Sequence, residues 1–239
     1  MSEDTTKRVE HEALKTRRAG RPFQFWTCIE SCEPLEKQAK DPEELLAIIE
    51  TAPPACLVRH TQTCALRHPL VNGHGGECAN DLAFWITQQV GDSVLGLRLG
   101  QLDSFAYPDI ERLRIAILSI MADHLSRHPH LRKRRCLKPL DLYCSHVTEE
   151  RLHREAWTLE EFRGVLSDLE MESVYVHACL ARVSKPRRGD DFSHWIGDPD
   201  GLGLPKLSAQ VQAATRLDGT LQLKQQRILL LCDLALGLT

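Results

Sequence analysis

No stretch of this 239-residue sequence stays uncharged and apolar for long enough to span a bilayer. Residues 1–20 are almost entirely polar and lack the apolar core of a secretory signal, so the expectation is a soluble, cytoplasmic protein. A charge excess is missing too. With 30 Lys and Arg against 33 Asp and Glu, the formal charge is −3, and the global basic field of a dedicated nucleic-acid binder is absent. The signatures of common catalysts are also lacking: no Gly-x-Ser-x-Gly elbow, no Gly-x-x-x-x-Gly-Lys-Ser/Thr phosphate loop and no His-Glu-x-x-His helix. Asp198-Pro199-Asp200-Gly201 opens like a calcium loop, but the place of the bidentate glutamate holds Ala209. No Cys-x-x-Cys pair occurs, and the nine cysteines are odd in number in a chain 42% hydrophobic, large enough for a core without staples. They read as reduced thiols, most of them small buried hydrophobes.

What is present is an apparent duplication. Sliding residues 21–60 by 117 positions lays Pro22 on Pro139, Glu33 on Glu150, Leu35 on Leu152, Glu43 and Glu44 on Glu160 and Glu161, and His60 on His177. Asn80-Asp81-Leu82 with Trp85-Ile86 then recurs as Asp190-Asp191-Phe192 with Trp195-Ile196. Each copy opens with a β-favouring run after proline, Phe23 to Ile29 or Leu140 to Ser145. A helix start follows, Asp41-Pro42-Glu43-Glu44 in the first copy and the capping box Thr158 to Glu161 in the second. The short apolar runs ending at His60 and His177 read as strands buried on both faces, and Asn80 and Asp190 cap further helices anchored by Trp85 and Trp195. Long amphipathic helices follow Pro108-Asp109 and begin again near Gln222.

The expected fold is therefore α+β, an internal duplication of a β-α-β-α-α module packed about a pseudo-twofold. The expected domains are a flexible tail at 1–20, a first repeat at 21–125, a basic connector at 126–136 and a second repeat at 137–239.

The opening strand, the capped Glu-rich helix, His60-Thr61, His68, Asn80-Asp81 and Trp85, with His177, Asp191 and Trp195 in the second copy, resemble an uncharacterised bacterial and archaeal family, a domain of unknown function (5752), in its tandem form. The resemblance covers roughly residues 21–236. A further histidine that the family carries two residues after the first is Gln62 here. The resemblance implies no settled activity, only a loose association with trehalose and glucan metabolism.

The candidate metal ligands are His60, Cys64, His68, His74 and Cys78, suited to zinc or iron, although their spacing fits no standard zinc ribbon or finger. His60 with Asp81 and His177 with Asp191 read as imidazole–carboxylate pairs, either tying loop to core or orienting a general base. Arg132, Lys133, Arg134 and Arg135 read as a solvated linker or an anion-binding run. The functional expectation is a non-catalytic binding or assembly protein, with a protein partner or self-association and no membrane. Two alternatives are a metal-dependent hydrolase using His60, His68 and His74, and anion or nucleic-acid binding through the connector.

Overall fold

The computed structural model of the chain describes residues 12–67, 80–184, 189–217 and 219–238. It is an α+β protein in which two long strands, β1 (Arg18–Ala39) and β2 (Leu140–Thr158), form one antiparallel ribbon and the remaining regular elements are helical. Strand β2 begins at Leu140, where its β-favouring run predicts a strand, whereas β1 begins at Arg18, five residues before Phe23 and within the expected tail, and both continue through polar residues. Phe23 and Phe25 are buried while the intervening Gln24 is half-buried and Trp26 is exposed, the alternation of a strand with one covered face.

The residues group into two compact units: a continuous one, Glu30–Thr148, and a split one, Met1–Ile29 with Glu149–Thr239. The division falls inside the two strands, and the connector at 126–136 lies within the continuous unit. Each unit therefore joins helices from one of the apparent repeats to the opening strand of the other.

In the continuous unit, α1 (Pro42–Thr51) starts at Asp41, whose carboxylate accepts from the Glu44 N–H, with Pro42 at the first helical position. Helices α2 (Pro54–Leu57) and α3 (Cys64–Arg67) flank a wide π-helical segment, Val58–Gln62. Helix α4 (Asp81–Trp85) is capped by Asn80, α5 (Ser93–Gly100) by Asp92 and the long α6 (Ile110–Arg127) by Asp109. Their apolar faces meet in a core that includes Leu45, Ile49, Leu82, Trp85, Leu113 and Ile117, onto which Leu142 of β2 packs. In the split unit, α7 (Leu159–Ser167) begins with the reciprocal capping box of Thr158 and Glu161. Then come α8 (Met171–Tyr175), a π-helical segment Val176–Leu180, α9 (Ala181–Ser184), α10 (Asp191–Gly197), α11 (Pro205–Arg216) and α12 (Leu221–Leu236).

One expected element is corrected in each copy. The runs ending at His60 and His177 are helical, so the module has no second strand. Pro54 does not merely end the preceding helix; it occupies the first turn of the next, where its missing N–H costs nothing. A short apolar run has no periodicity to separate a buried strand from a buried helix, and packing decides. The wide turn leaves carbonyls that hydroxyls take up: Thr61 Oγ1 donates to Leu57 O at 2.6 Å. No described helix is long and apolar enough to cross a membrane.

Two glycines in the split unit test the packing. A Cβ on Gly201 would stand 2.0 Å from the Trp195 carbonyl oxygen, whereas one on Gly164, inside α7, meets nothing within 4 Å. Gly201→Ala is expected to lower stability by more than about 2 kcal/mol, and Gly164→Ala to raise it by about 0.5–1 kcal/mol, in urea denaturation of the two variants.

Candidate functional site

The recurring histidine is the centre of each unit. In the split unit the π-helical segment carries His177 into the core, 1% exposed, against Phe23, Phe25 and Phe192. Its Nδ1 lies 2.9 Å from Asp191 Oδ2, and its Nε2 lies 2.9 Å from the backbone nitrogen of Trp26. A backbone N–H can only donate, so Nε2 is the acceptor and the proton sits on Nδ1, donated to the carboxylate. Five residues earlier on the same strand, the Arg21 carbonyl accepts from Trp195 Nε1 at 2.9 Å. Histidine and tryptophan thus grip one strand by its main chain, with Phe23 and Phe25 packed between the two grips.

The continuous unit repeats the arrangement. His60 Nδ1 is 2.9 Å from Asp81 Oδ2, His60 Nε2 accepts from the Tyr143 N–H at 3.1 Å, and Trp85 Nε1 donates to the Lys138 carbonyl at 2.8 Å. Around it lies a charged network. Arg67 Nη2 donates to Asp81 Oδ2 at 2.7 Å and to the Arg59 carbonyl at 2.8 Å, while Nη1 reaches Glu30 at 3.3 Å. Arg59 also pairs with Glu30, at 2.9 Å, and the Ser145 hydroxyl donates to the same carboxylate. Burial alone would raise the Glu30 carboxyl, but hydrogen bonds from Ser145, Thr63 and Arg59 outweigh it and hold it below the usual glutamate range.

These contacts decide what the histidines can do. A general base needs a free lone pair, and the Nε2 lone pair of each ring is taken by a strand N–H. The same occupancy leaves His60 no nitrogen for a metal. Cys64, buried, donates its thiol to the Thr61 carbonyl at 3.3 Å, and burial pushes it up to about 12. His68, His74 and Cys78 lie outside the described residues. Among the described residues, no group of three His, Cys, Asp or Glu side chains could hold a metal ion.

The connector cations face the acidic first turn of α1. Arg132 pairs with Glu43 at 3.0 Å, Lys133 with the same carboxylate at 3.9 Å and Arg135 with Glu44 at 3.3 Å, while Arg134 donates to the Gly91 carbonyl. Exposed pairs of this kind contribute little stability, yet they neutralise the run locally. Sequence reasoning missed Arg59, Arg67 and Glu30. It also missed a buried pair, His124 with Asp92 at 2.8 Å, in which Asp92 also caps α5. A signal for His124 was available: it follows Ile117 and Met121 on the apolar face of α6, where an imidazole needs a partner.

A family model described as "Family of unknown function (DUF5752)" matches residues 20–229. Among curated proteins none matches. A solved structure, OrfY from Thermoproteus tenax, aligns over 91% of this chain and 97% of its own with a TM-score of 0.70 at 21% identity, a likeness of fold.

Removing either histidine leaves a carboxylate without its imidazole and a strand N–H without its acceptor. His60→Ala and His177→Ala are each expected to cost about 2–4 kcal/mol in chemical denaturation. Glu30 gives a pH signature. Because its folded value is depressed, its contribution is complete above the unfolded value of about 4.3 and is lost as pH falls through the lower folded value. Stability measured from pH 6 down to 3 is expected to fall less steeply in Glu30→Gln than in the parent.

Proposed function

Since this chain belongs to that family of unknown function, it inherits no assigned reaction, and we propose that it is a non-catalytic binding or assembly protein. One observation carries this reading: in both units the histidine that looks most like a catalytic base is bound at both ring nitrogens, by a carboxylate and by a strand backbone. Such an imidazole holds structure and has no lone pair for a substrate proton. The recurrence supports a duplicated module. His60 and His177, Trp26 and Tyr143, and Arg21 and Lys138 are each 117 residues apart and play matching parts.

A protein partner, or a second copy of this chain, is the ligand class that suits the surface. On α12, Leu230 and Leu234 stand one turn apart, each 53% exposed, and Leu238, exposed to the same degree, follows just past the Gly237 cap, an apolar patch of the kind that helix-in-groove contacts use. The eight described cysteines are all free thiols, which suits a reducing, cytoplasmic setting.

The test is native isolation of the untagged protein, followed by mass measurement and assays with ester, phosphoester and glycoside substrates. The expected result is a stoichiometric complex without turnover. Hydrolysis that disappears in a His60→Ala protein still folded by circular dichroism would overturn the reading.

A further inference from the structure

We propose that the helical body of each unit is a receptor for an extended peptide segment, and that side-chain class, aromatic in one and aliphatic in the other, assigns each opening strand to its body. The proposal rests on the non-catalytic reading of the His–Asp pairs and extends it to a ligand class, a strand with the pattern Phe-x-Phe for the split unit.

The backbone grips are the same in both units. A tryptophan indole binds a carbonyl, and a histidine accepts from the N–H five residues further on: Arg21 and Trp26 in the split unit, Lys138 and Tyr143 in the continuous one. Main-chain contacts of this kind fix an extended segment without reading its sequence, and the pockets between them supply the choice. In the split unit those pockets hold Phe23 and Phe25. Phe23 lies 5.4 Å from Phe162, 5.6 Å from Phe192 and 5.5 Å from Trp195 between ring centroids, and Phe25 lies 5.9 Å from Phe162. In the continuous unit the matching strand residues are Leu140 and Leu142, in a core with Leu45 and Leu82 where the split unit has Phe162 and Phe192.

Chain order sharpens the point. The helices at 159–236 follow directly on the strand that opens with Leu140, yet their unit takes residues 18–29. Local connection would have favoured the nearer run. Phenylalanine in the leucine pockets overpacks them, and leucine in the phenylalanine pockets leaves voids, so packing selects the distant strand.

The experiment uses the full chain with a protease recognition sequence placed at the exposed residues 31–33, cut after folding. A fluorescent peptide of residues 18–29 is then added. The expected result is exchange of this peptide into the cut protein, with Phe23→Leu/Phe25→Leu peptide binding about tenfold or more weakly. Equal binding of the two peptides, or no exchange by either into cut protein that keeps its helical signal, overturns the proposal. His177→Ala protein that holds the peptide as tightly as the parent overturns the underlying reading of the histidine as well.

Should the cut protein unfold, the uncut chain gives a second measurement. Phe23→Leu/Phe25→Leu combined with Leu140→Phe/Leu142→Phe is expected to lower the Tm, and adding Leu45→Phe/Leu82→Phe/Phe162→Leu/Phe192→Leu to raise it again. Absence of that rescue overturns the assignment rule.

Discussion

A ribbon of two strands satisfies only one side of each strand, and by itself it is at best marginally stable in water. Every other feature of this protein answers that constraint. The free side of each opening run still carries backbone N–H and C=O groups that must find partners when helices cover them. Here the partners are side chains. Trp195 and Trp85 donate to carbonyls, and His177 and His60 accept from N–H groups. Neutral imidazole suits the task because it accepts at one nitrogen while donating at the other, and the aspartate that receives Nδ1–H fixes both tautomer and ring plane. Lysine and arginine cannot accept, and an amide would place its acceptor on a shorter arm in asparagine or a more flexible one in glutamine. The carboxylate–imidazole pairing that recurs in catalysts is used here to hold a strand.

The two units add different material to this shared device. Around His177 the surroundings are aromatic. Around His60, Arg59, Arg67, Glu30 and Asp81 form a balanced set of two cations and two anions, with the Ser145 hydroxyl on Glu30 and the Thr63 hydroxyl within reach of Arg67 and Ser145. Counting 117 residues on from Arg59, Thr63 and Arg67 gives Val176, Leu180 and Ser184, so these three positions carry no charge in the split unit. Apolar packing at such positions generally equals or exceeds a buried ion pair in stability, and removing a single partner from the network would strand the opposite charge. The network thus adds paired charges to the strand grip of the continuous unit.

Much of the local structure was legible because its causes are local. Asp41, Thr158, Asn80 and Asp190 announce helix starts through oxygen atoms that reach N–H groups three residues on, and the structure places each cap there. The contacts of His60 with Asp81 and of His177 with Asp191 could be anticipated from a histidine ending an apolar run ahead of a helix start. What escaped depends on packing. The runs before His60 and His177 are too short for periodicity to separate strand from helix. The polar halves of β1 and β2 carry residues such as Glu36, Lys37, Glu149 and Glu150, whose weak strand preference is overridden by pairing with the other strand. Glu30 and Arg67 looked like ordinary surface charges, because nothing nearby in sequence reveals that they share a network.

Membership of the strands was the least legible feature, since β1 and β2 open with the same pattern and either would satisfy the grips of either body. Covalent linkage makes the distant choice affordable. Residues 30–148 lie between the strand of the split unit and its helices, but loop-closure entropy grows only logarithmically, by about 0.6 kcal/mol per doubling of length. The longer link amounts to roughly three doublings, about 2 kcal/mol, while each mismatch between Phe and Leu pockets costs about 1–3 kcal/mol, and because exchanging the two strands mismatches both bodies, packing outweighs the longer loop. A single chain also keeps strand and body at a high effective concentration, of millimolar order for short flexible links, whereas strand exchange between separate molecules depends on how concentrated they are. Within one chain this pairing of strand and body is an intramolecular property, independent of dilution, and the choice of strand is left to the side chains between the two grips.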